Sequence, residues 1–174
     1  MTITTTTEDL ILQTDASGAP VRLEYVRGRM KWEASPASRH QKMAKAIEAS
    51  LRPMHDHAGG CACFSIQDVL IRFPDPDQSL KRPDIAIFCA EPPDSDEALD
   101  MLPAAVIEIL SLGYEEKDLG DDGAPFYLAC GVLDVLIVDP RSGAIRHERP
   151  GLPRAALHTP ITVALACGCQ VSLA

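Results

Sequence analysis

The sequence predicts an α/β fold, a sandwich in which helices flank a mixed β-sheet and which begins with a β-hairpin. Apolar runs of strand length occur at residues 85–88, 104–110 and 132–138. Earlier in the chain, apolar and polar residues alternate on both sides of Gly28. In residues 39–52, apolar residues recur at helical spacing. Short buried strands interspersed with helical segments are typical of layered α/β domains.

Length and composition indicate one globular domain. The chain has 174 residues, of which 46% are hydrophobic and 24% are charged, which is ordinary for a folded protein with a sizeable core. No apolar run approaches the roughly 18 residues that span a bilayer. The first nine residues lack the basic region and apolar core of a signal peptide. We therefore expect a cytoplasmic protein without a membrane partner.

The charge balance argues moderately against a nucleic-acid partner. The formal net charge is −9 and the pI is about 4.9, whereas nucleic-acid binders usually present a basic face. A local basic cluster or bound divalent ions can offset a global negative charge. The cluster in this sequence consists of Arg22, Arg27, Arg29 and Lys31.

The first third of the chain predicts a hairpin followed by a helix. Residues 1–20 are polar and predict a tail or a short helix near residues 8–13, and residues 21–174 form the single domain. Apolar and polar residues alternate in residues 21–26 and again in residues 29–33. A glycine turn separates the two stretches, as in a β-hairpin. The helix at 39–52 is capped by Ser38 and stopped by Pro53. A turn-rich loop containing His55 and His57 follows, and we interpret it as solvated.

The remaining elements are mostly strands. A strand or strand pair is expected at 61–73, and the next two strands carry Asp84 and Glu108. The acidic stretch 91–97 predicts a loop, and residues 112–123 are rich in glycine and charged residues. A helix is expected at 124–130, since Pro125 lies in its first turn and Gly131 lies past its end. The last predicted strands cover residues 133–138, 144–148, 161–165 and 170–173.

The six cysteines are predicted to be free thiols. Four of them form two Cys-x-Cys pairs, at residues 61–63 and 167–169. This spacing differs from the two-residue gap of zinc knuckles, and no histidine pair with zinc-finger spacing follows. Secreted disulfide frameworks favour smaller, loop-rich chains. We expect several of the cysteines to fill the core.

Two carboxylates, those of Asp84 and Glu108, interrupt buried strands. A buried carboxylate is costly unless it is paired or bound to a cation. If the two strands are neighbours, the carboxylates meet at about 4.5–5.5 Å, where they repel unless a proton or a cation intervenes. Mg²⁺ suits such a site and leaves positions for water and phosphate. The alternative is structural: Asp84 caps a turn, and Glu108 pairs with a buried arginine or lysine.

An ordered series of motifs resembles a known family. It begins with residues 23–29 and 35–41 and continues with Pro83-Asp84, the strand around Glu108 and Lys117-Asp118. It ends with Phe126-Tyr127, Gly131-Val132 and Asp139-Pro140. Together these motifs resemble the bacterial "putative restriction endonuclease" family of the PD-(D/E)XK nuclease superfamily. The resemblance covers roughly residues 21–140 and implies a restriction-endonuclease-like fold.

The resemblance also implies roles for individual residues. Asp84 and Glu108 would be metal ligands for Mg²⁺ or Mn²⁺, and Glu24 would be the early acidic residue near the same site. The superfamily lysine is expected two positions after Glu108, but that position is Leu110. Lys117 is then the candidate lysine, provided that the chain folds back with the help of Gly113; Glu115 or Glu116 could pair with it instead.

Two further side chains have open roles. His40, on the first predicted helix, could contact the site or a phosphate, or could be a surface or capping residue. Trp32 either packs on the sheet or stacks on a base.

The leading hypothesis is a divalent-metal-dependent endonuclease that hydrolyses phosphodiester bonds in DNA. The superfamily resemblance implies a homodimer, because paired sites suit duplex symmetry. One alternative is a catalytically inactive binding or dimerisation module with the nuclease fold, since Leu110 replaces the strand lysine. Another is a metal phosphodiesterase acting on RNA or on a small nucleotide.

Overall fold

A six-stranded mixed sheet forms the centre of the computed structural model, which describes residues 5–55 and 60–174. Its strands are β4 (Phe64–Gln67), β7 (Ile85–Phe88), β8 (Ala105–Ile109), β9 (Asp134–Val138), β10 (Ala144–Glu148) and β11 (Ala155–His158). Their order is β11-β10-β9-β8-β7-β4. Strands β8 and β9 run parallel, and the other neighbours run antiparallel. The predicted mixed sheet is confirmed, although β11 had not been predicted.

The N-terminal hairpin belongs to a second, four-stranded sheet. Its strands are β1 (Val21–Val26), β2 (Arg29–Ala34), β5 (Ile71–Arg72) and β6 (Leu80–Lys81), in the order β2-β1-β6-β5. Arg27 and Gly28 form the turn, with φ of 48° and 77°. Positive φ at both central residues characterises the tight hairpin turn that glycine favours. The predicted hairpin is confirmed with nearly the predicted boundaries.

A third sheet ends the first long helix earlier than predicted. This sheet contains β3 (Arg52–Pro53), β12 (Ile161–Ala164) and β13 (Cys169–Leu173), in the order β12-β13-β3. Helix α2 covers Ser38–Ser50, and Ala37, which makes no side-chain cap, occupies the N-cap position. Arg52 and Pro53 pair with Gln170 and Cys169. The helix therefore stops because its next residues join a sheet, before Pro53 is reached.

Three shorter helices complete the structure: α1 (Thr7–Ala16), α3 (Glu115–Leu119) and α4 (Ala124–Ala129). Helix α1 begins with a capping box between Thr6 and Asp9 and buries Ile11 in a cluster with Leu70 and Leu80. The stretch expected to be a tail or a short helix thus contains a docked helix. Helix α3 had not been predicted, because its short acidic segment lacks apolar residues at helical spacing.

The central sheet has a hydrophobic core on each face. Ile85, Ile87 and Ile107 belong to one core, together with residues of α2 and β13. Ala86, Phe88, Val106 and two aromatic residues of α4, Phe126 and Tyr127, belong to the other. This separation follows from the two-residue period of a strand. Glu108 shares the parity of Val106, so its side chain extends toward α4.

The expectation of free cysteines is wrong for four of the six. The structure joins Cys61 to Cys89 and Cys63 to Cys169, and leaves Cys130 and Cys167 as thiols. Strand pairing brings these distant segments together, which spacing along the chain could not show. His57 lies outside the described residues, and His55 is exposed. In the part of the chain that the structure describes, no helix is long and apolar enough to cross a membrane.

Candidate active site

Asp84 and Glu108 lie opposite each other where β7 begins and β8 nears its end. These strands are antiparallel with Ile85 opposite Ile107, so the preceding Asp84 lies opposite Glu108. The Asp84 amide donates a hydrogen bond to Glu108 Oε2 (3.1 Å), and the Ile109 amide donates one to Asp84 Oδ2 (2.7 Å). The two acidic residues predicted to be neighbours are held together by backbone donors of the sheet.

Glu108 is fully buried and is held by a tyrosine. Its Oε1 atom accepts a hydrogen bond from the Tyr127 hydroxyl on α4 (2.5 Å). Burial raises the pKa of Glu108 well above its usual range, and the charges of Asp118 and Asp84 act in the same direction. In the sequence, Tyr127 is recognisable only as part of the Phe126-Tyr127 motif, without a predicted role of its own. A tyrosine on an apolar helix was the available signal, since its buried hydroxyl needs a polar partner.

His40 reaches Asp84 from α2. Its Nε2 atom lies 2.9 Å from Asp84 Oδ2, and only 9% of its side chain is exposed. Burial opposes the imidazolium form, but the hydrogen bond to Asp84 and the charge of Asp84 outweigh it and raise the pKa of His40. The structure thus places His40 at the site rather than on the surface.

Lys117 enters the site from α3, which follows a turn at Gly113 with φ of 86°. Its Nζ atom lies 3.1 Å from Glu33 Oε1 and 3.7 Å from Asp118 Oδ1. Burial disfavours the ammonium, yet the charges of Glu24, Asp118, Glu108 and Glu33 outweigh it and raise the pKa of Lys117 well above its usual range. Lys117 is therefore a persistent cation within an acidic group.

Lys117 does not pair with Glu115 or Glu116, the two predicted alternatives. Glu115 binds Arg141 (3.3 Å), and Glu116 is exposed. Glu33 and Asp118 occupy the positions next to the ammonium, although neither had been given a role.

Two buried carboxylate oxygens near Lys117 have no hydrogen-bond partner among the described residues. They are Glu24 Oε2 and Asp118 Oδ1. The other Glu24 oxygen accepts the Arg82 amide (2.8 Å). Burial opposes the charge of Glu24, but Lys117 and Lys81 outweigh it and lower its pKa. For Asp118, burial prevails and raises the pKa to about 7. Such unsatisfied buried oxygens are costly unless a cation or water binds them.

Two adjoining cavities give solvent access to this group. One, of about 400 Å³, is lined by Lys117, Glu24 and Trp32. The other, of about 270 Å³, is lined by Asp84 and His40. Arg22 and Glu33 line both cavities. A substrate lying along this wall could contact Lys117 and Asp84 together, whereas Glu108 is fully buried and lines neither cavity.

The basic residues noted in the sequence do not form one continuous surface. Arg27, Arg29 and Lys31 gather around Asp122, and Arg22 pairs with Asp68. Burial raises the pKa of Asp122, but the hydrogen bond from Lys31 and the charges of Lys31, Arg27 and Arg29 prevail and lower it. Part of the basic cluster is thus neutralised within the protein.

The residues present fit a divalent cation for which the protein supplies only some of the ligands. Asp84 and Glu108 supply two adjoining carboxylates, and Glu24 Oε2 and Asp118 Oδ1 accept no hydrogen bond from the described residues. Across residues 5–55 and 60–174, no three Asp, Glu or His ligand atoms at this site lie within 4.8 Å of one another. Mg²⁺ is commonly bound by one or two carboxylates, with waters and substrate phosphates as its other ligands. This donor set therefore suits Mg²⁺ or Mn²⁺.

Comparison with solved structures supports the fold. The protein resembles the crystal structure described as "a putative nuclease belonging to DUF820" from Anabaena variabilis, with a TM-score of 0.62 and 16% sequence identity. The match covers 84% of this chain and 83% of the other. A search of curated proteins found no match.

A family comparison covers almost the whole chain. Residues 7–168 match the Uma2 family, whose description is "Putative restriction endonuclease". The matched region includes the hairpin, the paired strands with Asp84 and Glu108, and the helix with Lys117. This chain belongs to the Uma2 family.

Proposed function

We propose that the protein is a divalent-metal-dependent endonuclease that hydrolyses phosphodiester bonds in DNA. Membership of the Uma2 family supports a nuclease function. The observation that carries the proposal is the Asp84–Glu108 pair, held by sheet amides and Tyr127 and adjoining a buried lysine. An inert scaffold has no need to bury several carboxylates of this kind around the two ammonium groups of Lys117 and Lys81.

Asp84 and Glu108 would hold Mg²⁺ or Mn²⁺, with Glu24 close by. A bound cation of this kind neutralises phosphate charge and lowers the pKa of a bound water. The protein's own contribution is positioning. Tyr127 and the Asp84 amide orient the two oxygens of Glu108, whereas the Ile109 amide and His40 orient Asp84.

Lys117 acts in this proposal as a fixed donor rather than as a base. Its raised pKa keeps it protonated at neutral pH, so it cannot accept a proton from water. From the wall of the larger cavity it can donate hydrogen bonds to a phosphate oxygen or to the attacking water. Charge stabilisation by a preorganised donor is a large contribution to many enzymatic rates. Its location on α3 compensates for Leu110 in the strand.

DNA is the proposed substrate because the cavity wall combines a cation with an exposed aromatic ring. Trp32 lies beside Lys117 in the larger cavity and is 63% exposed, and such rings stack on bases of single-stranded segments. A bound cation would compensate for the acidic net charge. We also propose a homodimer, whose two sites would face the two strands of a duplex, and a cytoplasmic location, where DNA is accessible.

The test is a cleavage assay on supercoiled plasmid and single-stranded DNA with Mg²⁺ or Mn²⁺. The native chain is compared with Asp84→Asn, Glu108→Gln and Lys117→Met. Asp121→Asn is the matched control, because Asp121 is exposed and lies outside the group. We expect cation-dependent nicking by the native chain and the control, and none by the three variants.

The outcomes separate the proposal from its alternatives. Cleavage that survives Asp84→Asn and Glu108→Gln would show that other residues carry the chemistry. Cleavage of RNA but not of DNA would reassign the substrate. If titration calorimetry shows no binding of Mn²⁺ and no substrate is cut, the protein is an inactive binding or dimerisation module.

A further inference from the structure

Five of the six cysteines converge at one place, far from the carboxylates. We call this group the sulfur cluster: Cys61, Cys63, Cys89, Cys167 and Cys169. They come from three segments, namely the chain before β4, the residue after β7, and the turn that leads into the first residue of β13. The sixth, Cys130, lies at the end of α4. Neither Cys-x-Cys pair suggests a site alone, but the fold joins both pairs and adds a fifth sulfur.

The sulfur atoms lie at distances that suit a shared ligand. Ligand atoms of Cys61, Cys63 and Cys169 lie within 4.8 Å of one another, and so do those of Cys61, Cys89 and Cys167. Cys61 belongs to both groups, and its sulfur is 3.4 Å from that of Cys169. Four sulfurs around a tetrahedral Zn²⁺, each about 2.3 Å from the metal, are separated by about 3.8 Å. No four of the five sulfurs lie mutually within 4.8 Å, so both disulfides must open and the side chains must rotate before four sulfurs can surround such an ion.

Backbone hydrogen bonds join the first two segments and fix the turn of the third independently of the sulfurs. The Ala62 amide donates a hydrogen bond to the Cys89 carbonyl (2.9 Å), and the Leu165 amide donates one to the Cys169 carbonyl (2.8 Å). Gly168, between the last two cysteines, has φ of 94°, a conformation that glycine adopts without strain. The Met54 amide binds the Gly168 carbonyl (2.9 Å). The backbone thus holds Ala62 against Cys89, and the turn at Gly168 against Met54, without help from the sulfurs.

The surroundings shield the cluster on one side only. Cys167 and Cys169 are buried within the core between the central sheet and β13, and Cys61 and Cys63 pack against that core. Cys89 is exposed and leaves a path for an ion or a reductant. Soft thiolates in such a partly buried site favour Zn²⁺ over Mg²⁺ or Ca²⁺.

We propose that the reduced chain binds one Zn²⁺ at the sulfur cluster through Cys61 and three of the other four cysteines. The disulfides Cys61–Cys89 and Cys63–Cys169 are then the oxidised, metal-free form of the same site. A dithiol reductant converts each disulfide to two thiols, supplying two electrons and two protons, and is itself oxidised to a disulfide. Zn²⁺ then displaces the proton of each thiol that becomes a ligand.

The role of this site is to join two sheets. Cys63 directly precedes β4, and Cys89 directly follows β7; both strands belong to the central sheet. Cys169 is the first residue of β13, which belongs to the third sheet. Asp84 and Cys89 flank β7 at opposite ends, so the sulfur cluster lies about 16 Å along the strand from the carboxylates. The metal would stabilise the fold and would not take part in phosphodiester chemistry.

The experiment measures zinc retained by the full chain after reduction with a phosphine, equilibration with Zn²⁺ and removal of unbound metal. We expect one zinc per chain by elemental mass spectrometry. Cys61→Ser should lose this zinc, and Cys130→Ser, the matched control outside the cluster, should retain it. Asp84→Ala should also retain it, which separates this site from the carboxylate site.

Substitution with Co²⁺ tests the ligand type without reference to activity. Thiolate ligands give cobalt an intense charge-transfer band in the near ultraviolet, which oxygen ligands do not give. We expect the band in the native chain and its loss in both Cys61→Ser and the exposed-site variant Cys89→Ser, or in Cys61→Ser alone if Cys89 is the spare sulfur. A reduced native chain that retains no zinc, or a Cys61→Ser variant that retains as much as the native chain, overturns the proposal.

Discussion

The hydroxyl of Tyr127 donates a 2.5 Å hydrogen bond to Oε1 of Glu108, and both residues are completely buried. One residue lies on helix α4 and the other in strand β8, so this bond joins the helix to the sheet beneath it. It also sets which way the Glu108 carboxylate points.

Tyr127→Phe should destabilise the protein by about 2 kcal/mol, because it leaves a buried carboxylate oxygen without its donor. It should also reduce cleavage, since Glu108 loses its orientation. Urea unfolding measures the first effect. Tyr114→Phe is the control, because Tyr114 is partly exposed and should change stability by less than about 0.5 kcal/mol. Equal stabilities for the two variants would contradict the structural role of the bond.

Lys117→Met should destabilise the protein by about 3 kcal/mol and abolish cleavage, because it removes one of the two ammonium groups, those of Lys117 and Lys81, that offset the buried carboxylates. Lys117→Arg should keep most of the stability but lose activity about 100-fold, since a guanidinium is larger and donates in a fixed plane. Thermal unfolding and the plasmid assay distinguish the two effects. An Arg variant with native activity would show that the charge alone is required.

Trp32→Ala should weaken binding of single-stranded DNA by about 1–3 kcal/mol, the typical contribution of one stacked base. Trp32 is 63% exposed and contacts the ring of Tyr114 edge-on, with centroids 6.1 Å apart, so the fold should survive. Fluorescence anisotropy with a labelled oligonucleotide measures the loss. Leu152→Ala serves as a control, because Leu152 is exposed and lies outside the cavities that adjoin the site. Unchanged affinity of the Trp32 variant would remove stacking from the proposal.

Ile11→Ala should destabilise the protein by about 2–4 kcal/mol, the usual cost of a large-to-small change in a core. Ile11 is fully buried, whereas its neighbour Leu10 is 47% exposed. Leu10→Ala should therefore change stability by less than about 0.5 kcal/mol. Equilibrium unfolding of the pair tests whether α1 is an integral part of the fold, and equal small effects would show that it is dispensable.

The ion pairs of Asp122 with Arg27, Arg29 and Lys31 should contribute stability that depends on pH. The pKa of Asp122 is lowered in the folded protein, so the stabilisation is fully present above the usual pKa of about 3.9. It is lost as the pH falls from there through the lowered, folded-state pKa. Asp122→Asn should destabilise the protein by about 1 kcal/mol at pH 7, and the difference should vanish in acid. Asp121→Asn, with an exposed side chain, should show no such dependence.

Local patterns were sufficient to predict much of the fold and the identity of several site residues. The alternation around Gly28 predicted the hairpin, and the apolar runs predicted β7, β8 and β9, because side-chain period and turn chemistry are properties of adjacent residues. Asp84 and Glu108 were recognisable as unusual because carboxylates rarely interrupt buried strands.

The tertiary structure alone decided which groups meet. Pairing of β7 with β8 places Asp84 against Glu108, packing of α4 brings Tyr127 to the same carboxylate, and α3 directs Lys117 to Glu33. Likewise, cysteines predicted to be separate thiols converge because the start of β4, the end of β7 and the start of β13 lie at one place. Contacts between distant segments depend on the order of strands and the packing of layers, which the spacing of residues along a single chain does not encode.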